Sequence, residues 1–378
     1  MKITDVEPIV VSWPPFENSF WTSLNRIGQV SELVVLVHTD EGITGIGEAH
    51  GGSMHYIDNT GVAHISGAGS TVTDILEPLL IGENPLDNER LWSKMFGLTY
   101  QKGWSQIGAT RQQILAAMAA VDIALWDIKG KALGQSVCSL LGGYRDRAPT
   151  YASGALMRPM NLEYLAEAGP RLVEMGFKQM KTQMGAESTV RQEVDRMRVL
   201  RDAIGEDIDL MCDINQLWNV NQAIEVGRRV EEYHLFWLED VVAHDDYPGL
   251  ARVADALTTP IAAGEYVYGI TPFRHMLEAR SIDIVMIDLL RVGGITQWRK
   301  VAGMAEAFDL PVVSHLIPEI HVQLVAAVPN GLTVEYMPWT LRLFEDTPAI
   351  VDGQMVVPDR PGLGLSFSQD AIRQYQVT

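Results

Sequence analysis

The chain has 378 residues, 47% of them hydrophobic and 20% charged, which is ample material for a large core and unlike a disordered composition. Its 29 basic and 48 acidic residues leave a net charge of −19. That surplus argues against nucleic acid and anionic membranes, both of which need a basic face. It leaves anionic small molecules open, because a bound cation can reverse the local sign.

The first 50 residues read as strands. Ile3 to Ser12 and Glu32 to Thr39 alternate or run apolar with β-branched residues, and EGITGIGEAH adds turn glycines and a further short strand. Two long polar-aromatic stretches, from Phe16 to Val30 and from Ala49 to Gly69, read as lids over a site. They carry Trp21, Asn25 and Arg26, then His50, His55 and Tyr56. The N-terminus MKITDVEPIVVSW lacks the continuous apolar stretch and cleavage site of a signal peptide. No run of about 18 apolar residues marks a membrane span, so a cytoplasmic protein is expected. Cys138 and Cys212 fit neither a metal-type pair nor a secreted disulfide pattern and are expected as reduced core residues.

Helical periodicity follows over Thr71–Leu80, Pro85–Phe96 and Thr110–Leu133. In the last, Ile114, Ala117, Met118, Val121, Ala124 and Leu125 recur at helical spacing, and Gly134 ends it. Strands followed by helices make an α+β module. From Pro149 the pattern changes to short apolar strands alternating with amphipathic helices, such as Val190–Ala203 and Trp298–Phe308. Strand starts fall near Thr150, Lys178, Asp209, Leu235, Pro260, Asp283, Pro311 and Thr333, spaced 22–31 residues apart. Eight βα units of that size predict an α/β barrel. An open doubly wound sheet lacks support, since neither GxGxxG nor GxxxxGKS/T occurs.

Active groups in such barrels sit at the C-terminal ends of strands. The predicted strands end, in order, on Lys181 and Gln183, on Asp213 followed by Asn215, on Glu239 beside Asp240, on Glu265, on Asp288, on His315 and on Glu335. Half-buried charges are costly unless paired or metal-bound, so the series as a whole reads as a site. Asp213, Glu239 and Glu265, each 26 residues from the next, repel one another unless a cation lies between them. Oxygen ligands without His or Cys select Mg²⁺, or Mn²⁺, over Zn²⁺. Asn215 is placed to support this shell by hydrogen bonding. Asp288 behind His315 would fix the imidazole tautomer and raise its basicity, making a general base. Lys181 could bind a substrate carboxylate or act as a base. Glu335 could donate to an enediolate oxygen if a raised pKa kept it protonated.

With those residues in place, the chain resembles the mandelate racemase subgroup of the enolase superfamily. The likeness runs over almost the whole chain, through WDIKGKALGQ, KTQMG, CDINQ, WLED, AGE, IDLLRVGGIT, SHLIPEI and PGLG in order. The resemblance implies a modified TIM barrel, (β/α)7β, at residues 126–354, with an N-terminal α+β capping domain at 1–125 joined by the segment 355–378. It implies one Mg²⁺ on Asp213, Glu239 and Glu265, a His315–Asp288 dyad, Glu335 from strand eight, and a homo-oligomer, commonly an octamer.

The pattern departs from the family at strand two. Lys-x-Lys is usual there, and this chain has Lys181, Thr182, Gln183. The expected EEP on strand four is Glu239, Asp240, Val241. An amide cannot accept a proton at neutral pH. Racemisation needs a base on each face of the substrate, whereas elimination of water needs one group that first takes the α-proton and then protonates the leaving hydroxyl. The expected reaction is therefore Mg²⁺-dependent removal of the proton α to a carboxylate, giving a metal-stabilised enediolate, then loss of water from an aldonate or aldarate. His315 with Asp288 would serve as base and acid. Gln183, Asn215, Trp21, Arg26, His50, His55 and Tyr56 are expected to contact this small carboxylate substrate. The alternatives are an epimerase, racemase or cycloisomerase, or an inactive metal-binding homologue.

Overall fold

Burial on one face sets the first layer. In the computed structural model, β1 (Ile3–Ser12), β4 (Ser31–Thr39) and β5 (Thr44–His50) form an antiparallel sheet with β4 in the centre. Register pairs such as Val10 with Leu33 and Val34 with Glu48 hold it. Between β1 and β4 lie β2 (Phe20–Trp21) and β3 (Arg26–Ile27), and after β5 come β6 (His55–Ile57) and β7 (Ala63–Ile65), each a two-stranded pair. The structure describes residues 1–14, 20–21, 26–27, 29–50, 55–57, 63–65, 68–100 and 109–377. Asn25 and the side chains of Trp21, Arg26, His50, His55 and Tyr56 lie outside what is described.

The helix Arg111–Leu133 packs on this sheet. Thr110 and Gln113 form a capping box at its start, and Gly134 closes it in a left-handed conformation, φ 65°. Ile114, Ala117, Met118, Val121, Ala124 and Leu125 are all fully buried. So is much of the opposite face, because the barrel covers it. Helix and sheet approach so closely that a Cβ on Gly47 would lie 1.9 Å from the Ala120 carbonyl oxygen. This helix runs uninterrupted across positions 125 and 126.

Two expected helices are shifted. The first spans Ala68–Leu80 and contains a π turn at Val72–Leu76. The second starts at Asn88, because Asn84 turns the chain back through its own side chain onto the Leu86 N–H.

Eight parallel strands then close a barrel: β8 (Arg147–Leu156), β9 (Gln179–Gln183), β10 (Asp209–Asp213), β11 (Leu235–Glu239), β12 (Ile261–Ala263), β13 (Ile284–Asp288), β14 (Val312–His315) and β15 (Gly331–Tyr336). Closure comes from β15 pairing with β8, Glu335 opposite Tyr151. Tyr151, Met211, Trp237, Ala262, Met286 and Val313 fill the interior. The segment after the barrel serves both layers. The hairpin of β16 (Ile350–Val351) and β17 (Gln354–Val356) pairs antiparallel with the start of β8, whereas Val377 donates to the Val10 carbonyl at 2.9 Å and Tyr375 meets Trp13 edge-on. Cys138 and Cys212 are buried free thiols. Among the described residues no helix is long and apolar enough to cross a membrane.

Asp127 knits three segments together. Its buried carboxylate accepts from the Ile46 N–H at 3.0 Å, the Leu363 N–H at 2.8 Å and the Lys131 ammonium at 2.6 Å. Asp127→Ala would orphan two buried backbone donors. It is expected to lower stability by about 3 kcal/mol, read as a shift of the urea midpoint, whereas Lys131→Ala should cost well under half of that. His321 is fully buried, with Nδ1 2.7 Å from the Leu316 carbonyl, and burial pushes its pKa from 6.5 down to about 4. The unfolded chain therefore takes up this proton more readily, so the stability it contributes is intact above pH 6.5 and is lost as pH falls towards 4. His321→Gln should remove roughly 3 kcal/mol from the acid-dependent loss. Urea unfolding between pH 7 and pH 4 measures it, and an unchanged slope would rule His321 out.

Candidate active site

Side chains alternate along each strand, so residues two apart share a side. At the end of β9, Lys181 and Gln183 face the barrel mouth, while Thr182 turns outward and donates to the Leu156 carbonyl. The strands next to it bring acids alongside: Gln183 is in register with Asp213, and Asp213 with Glu239. Glu265 follows the end of β12 by two residues. Across the mouth Asp288 and His315 are register neighbours, and Glu335 comes from β15. Of these residues, Lys181, Gln183, Asp213, Asn215, Glu265, His315 and Glu335 line one cavity of about 140 Å³.

The dyad geometry is tight. His315 Nδ1 lies 2.6 Å from Asp288 Oδ2, while Asp288 Oδ1 accepts from the Leu290 and Arg291 N–H groups, each at 2.8 Å. Held this way the carboxylate acts as acceptor, so Nδ1 carries the proton and Nε2 is the basic nitrogen. Nε2 sits 3.2 Å from Glu265 Oε2. Burial lowers the His315 pKa despite the opposing pull of Asp288, which keeps the ring neutral.

Two expected roles can be set against their surroundings. The Lys181 ammonium lies 2.7 Å from Glu239 Oε1 and 2.9 Å from Glu335 Oε1. Burial works against its charge, but those two carboxylates outweigh burial and hold its pKa well above the ordinary lysine range. Burial would raise the Glu335 pKa, yet the Lys181 ammonium and the Leu316 N–H outweigh it and draw the carboxyl below its ordinary range, which works against a protonated donor.

The expected metal set is Asp213, Glu239 and Glu265. The described acidic groups whose oxygens come within 4.8 Å of one another are Glu239, Asp240 and Glu265. Asp213 stands beside them on β10, its oxygens held by the Asn215 N–H at 2.7 Å and by Gln183 Nε2 at 3.3 Å. All four are buried. Burial and then mutual repulsion raise Asp240 and Glu265 well above the carboxylate range, and burial lifts Glu239 to about 7 even beside Lys181. Among the described residues neither Asp240 oxygen has a hydrogen-bond partner. Oxygen-only donors, mutual repulsion and an orphaned buried carboxylate together fit a hard divalent cation.

Sequence reading missed Arg158, Tyr266 and Arg291. Arg158 follows β8 in an MRP stretch that looks like a surface turn, yet it is 4% exposed. Its guanidinium donates to the Met184 carbonyl at 2.7 Å and to Asn215 Oδ1 at 3.1 Å. Asn215 Oδ1 also accepts from Gln183 Nε2 at 3.1 Å, and its amide reaches the Tyr266 hydroxyl at 3.3 Å. Gln183 is thus tied into a buried network on Asp213. Arg291 donates to the Glu265 carbonyl at 2.7 Å and lies 3.7 Å from Asp288. Backbone strain clusters here as well: Asn215, Asp240, Leu316 and Ile317, each just past a strand bearing a site residue, have φ between 39° and 56°.

Comparison with known proteins agrees with this geometry. Residues 4–142 match the mandelate racemase / muconate lactonizing enzyme N-terminal domain, and residues 163–371 match the enolase C-terminal domain-like family. The chain is 31% identical over 375 residues to the D-xylonate dehydratase of Haloferax volcanii, covering 93% of this chain and 86% of that protein. It is 31% identical over 352 residues to the arabinonate dehydratase of Saccharolobus solfataricus, covering 90% and 89%. The crystal structure of L-talarate dehydratase from Polaromonas sp. JS666, complexed with Mg and L-glucarate, superposes with a TM-score of 0.84 at 30% identity, covering 100% of this chain and 98% of that one. With both of its domains matched and its barrel closed on the same plan, the chain belongs to the mandelate racemase / muconate lactonizing enzyme family of the enolase superfamily.

Proposed function

We propose that the protein is a Mg²⁺-dependent acid-sugar dehydratase, a lyase that converts an aldonate or aldarate into a 2-keto-3-deoxy acid and water. The observation that carries this reading is the arrangement of bases. Among the described residues lining the cavity, His315 supplies the one neutral nitrogen base, while Lys181 is a paired cation and Gln183 an amide. One base suits elimination. Racemisation asks for two.

Mg²⁺, held by Asp213, Glu239 and Glu265, supplies a Lewis acid for the substrate carboxylate when bound. The chain's own groups do the rest. His315 Nε2 takes the α-proton while Nδ1–H stays on Asp288, which stabilises the imidazolium formed. The same imidazolium then protonates the β-hydroxyl as its bond to carbon breaks, and water leaves. Lys181 donates to Glu239 and is ion-paired with Glu335, and its remaining N–H donors are available to a substrate oxygen as negative charge develops there. Glu335 holds that ammonium in place and, through the Leu316 N–H at 2.7 Å, the backbone beside His315. Residues 1–125 with 355–378 would lie as a cap on the barrel at 126–354 and present Trp21, Arg26, His50, His55 and Tyr56 to the substrate. From the family resemblance we also infer a cytoplasmic homo-oligomer, as large as an octamer.

A screen of acid sugars with Mg²⁺ should yield a 2-keto-3-deoxy product. His315→Asn should lower its rate by about 10³-fold without weakening Mg²⁺ binding. Turnover surviving in that variant would sink the assignment of the base. Rapid α-deuterium exchange with epimer formation and no water loss would favour an isomerase, and Mg²⁺ binding without any reaction an inactive homologue. Calorimetric titration separates the acids: Asp213→Asn should weaken Mg²⁺ by more than the roughly 10–100-fold typical of residues behind the ligands, and Asp240→Asn by no more than that. The reverse order would place Asp240 in the coordination shell instead.

A further inference from the structure

A second group of buried acids lies away from the barrel mouth, on the seam between cap and barrel. Glu32 on β4 and Glu48 on β5 come from the antiparallel sheet. Glu319 comes from the first turn of the helix Pro318–Val325, which follows the His315 strand. Each of the three is at most 1% exposed. The carboxyl groups of Glu48 and Glu319 hydrogen-bond each other across the seam, and Glu319 also accepts from the Thr340 hydroxyl, just past β15. A hydrogen bond between two carboxyls needs a proton on one of them. As a pair of carboxylates they would leave Glu48 Oε1, Glu48 Oε2 and Glu319 Oε2 without a donor among the described residues. Nothing larger than a proton fits. The hollow beside Glu48, walled by Gly47, Ile320, Phe344 and Phe367, has no room for a water molecule. The three acids also do not converge as the oxygens of Glu239, Asp240 and Glu265 do, so they form no metal cage.

The described charged groups on the elements packed around the pair are engaged elsewhere or add to the repulsion. Glu32 acts on both carboxyls as a like charge. Asp127 and Lys131, from the helix Arg111–Leu133 behind β5, pair with each other beside Thr44 and Ile46. Arg291, from the helix Leu289–Val292, is bonded to the Glu265 carbonyl. His321, on the same helix as Glu319, is bonded to the Leu316 carbonyl and kept neutral by burial. Tyr336, on β15, is held neutral by burial and by Glu319. Burial, then Glu319 and Glu32, push the Glu48 carboxyl well above its ordinary range, and burial lifts Glu319 to about 7.

We propose that Glu48 and Glu319 hold one proton between them at neutral pH, and that this proton latches the cap sheet to the barrel helix that follows His315. Once it is lost, two buried like charges face each other across the seam, and the helix loses its tie to β5. The folded chain binds this proton more tightly than the unfolded one. The latch is therefore complete below the ordinary carboxyl value of 4.5 and weakens as pH rises through and beyond 7. It stands apart from the dehydratase reading, since neither acid lines the cavity.

The test is hydrogen exchange of the full-length Mg²⁺-loaded protein from pH 5 to pH 9, read by mass spectrometry, with wild type set against Glu48→Gln at each pH. A glutamine amide donates to Glu319 at every pH, so the variant keeps the tie without the titration. Opening of the segments Thr44–His50 and Pro318–Val325 should rise in wild type relative to the variant as pH rises, by up to about 10-fold per pH unit until the proton is gone. Glu319→Gln, whose amide donates to Glu48 in turn, should give the same trend. A ratio of wild type to variant that stays flat, or falls, across that range would overturn the latch. Should one variant fail to fold, the other decides.

Discussion

Six carboxylates, those of Asp213, Glu239, Asp240, Glu265, Asp288 and Glu335, are buried together at the barrel mouth, and the ammonium of Lys181 is inserted among them. Like charges at this density are tolerable only with cations between them. Lys181 meets that need on one flank by bridging Glu239 and Glu335. Arg291 meets it on another, beside Asp288. On the third flank the carboxylates of Asp213, Asp240 and Glu265 have no lysine or arginine among their described hydrogen-bond partners, and the oxygens of Asp240 and Glu265 converge there with those of Glu239. The site is thus a set of paired charges with one pairing left to a divalent ion. Lys181 follows from this as a paired ammonium, and His315 faces Glu265 and Asp288.

The same electrostatics explain why Gln183 can stand where a second lysine is usual. Arg158 and Asn215 surround it with donors and acceptors, and its amide rests on the Asp213 carboxylate. An amide there keeps Asp213 hydrogen-bonded without bringing another proton acceptor into the cavity. On the proposed reading, the amide withholds a proton acceptor from one face of the substrate and keeps Asp213 hydrogen-bonded.

How much of this was legible in the residues depends on how local the determinant is. The eight strands could be read because each is a short apolar run at a regular interval. Their polar ends could be read because a charge closing such a run is conspicuous. The pairing of Asp288 with His315 followed from adjacent strands. What escaped was set by neighbours distant in the chain. The Glu335 carboxyl is drawn below its ordinary range because Lys181, two strands away around the barrel, reaches it. Asp240 was noted only as the neighbour of Glu239, yet a left-handed backbone at that position, φ 45°, goes with a buried carboxylate whose oxygens approach Glu265. Arg158 resembled a surface turn residue until the strand after it folded alongside. The helix from Pro85 was misjudged at its start, where an asparagine side chain outcompeted helical bonding.

The helix Arg111–Leu133 has a consequence beyond packing. One face lies on the antiparallel sheet, and the other is bonded to the barrel helices, with Asp122 accepting the Thr296 N–H at 2.8 Å and Trp126 donating to the Thr296 hydroxyl at 2.9 Å. Both layers share this rod, so the described residues provide no linker here about which the cap could swing as a rigid body. Widening of the mouth is left to cap segments that lie off this seam. The arrangement also limits how such chains can be recombined: a cap exchanged between relatives has to arrive with its helix, and that helix has to match the barrel that receives it.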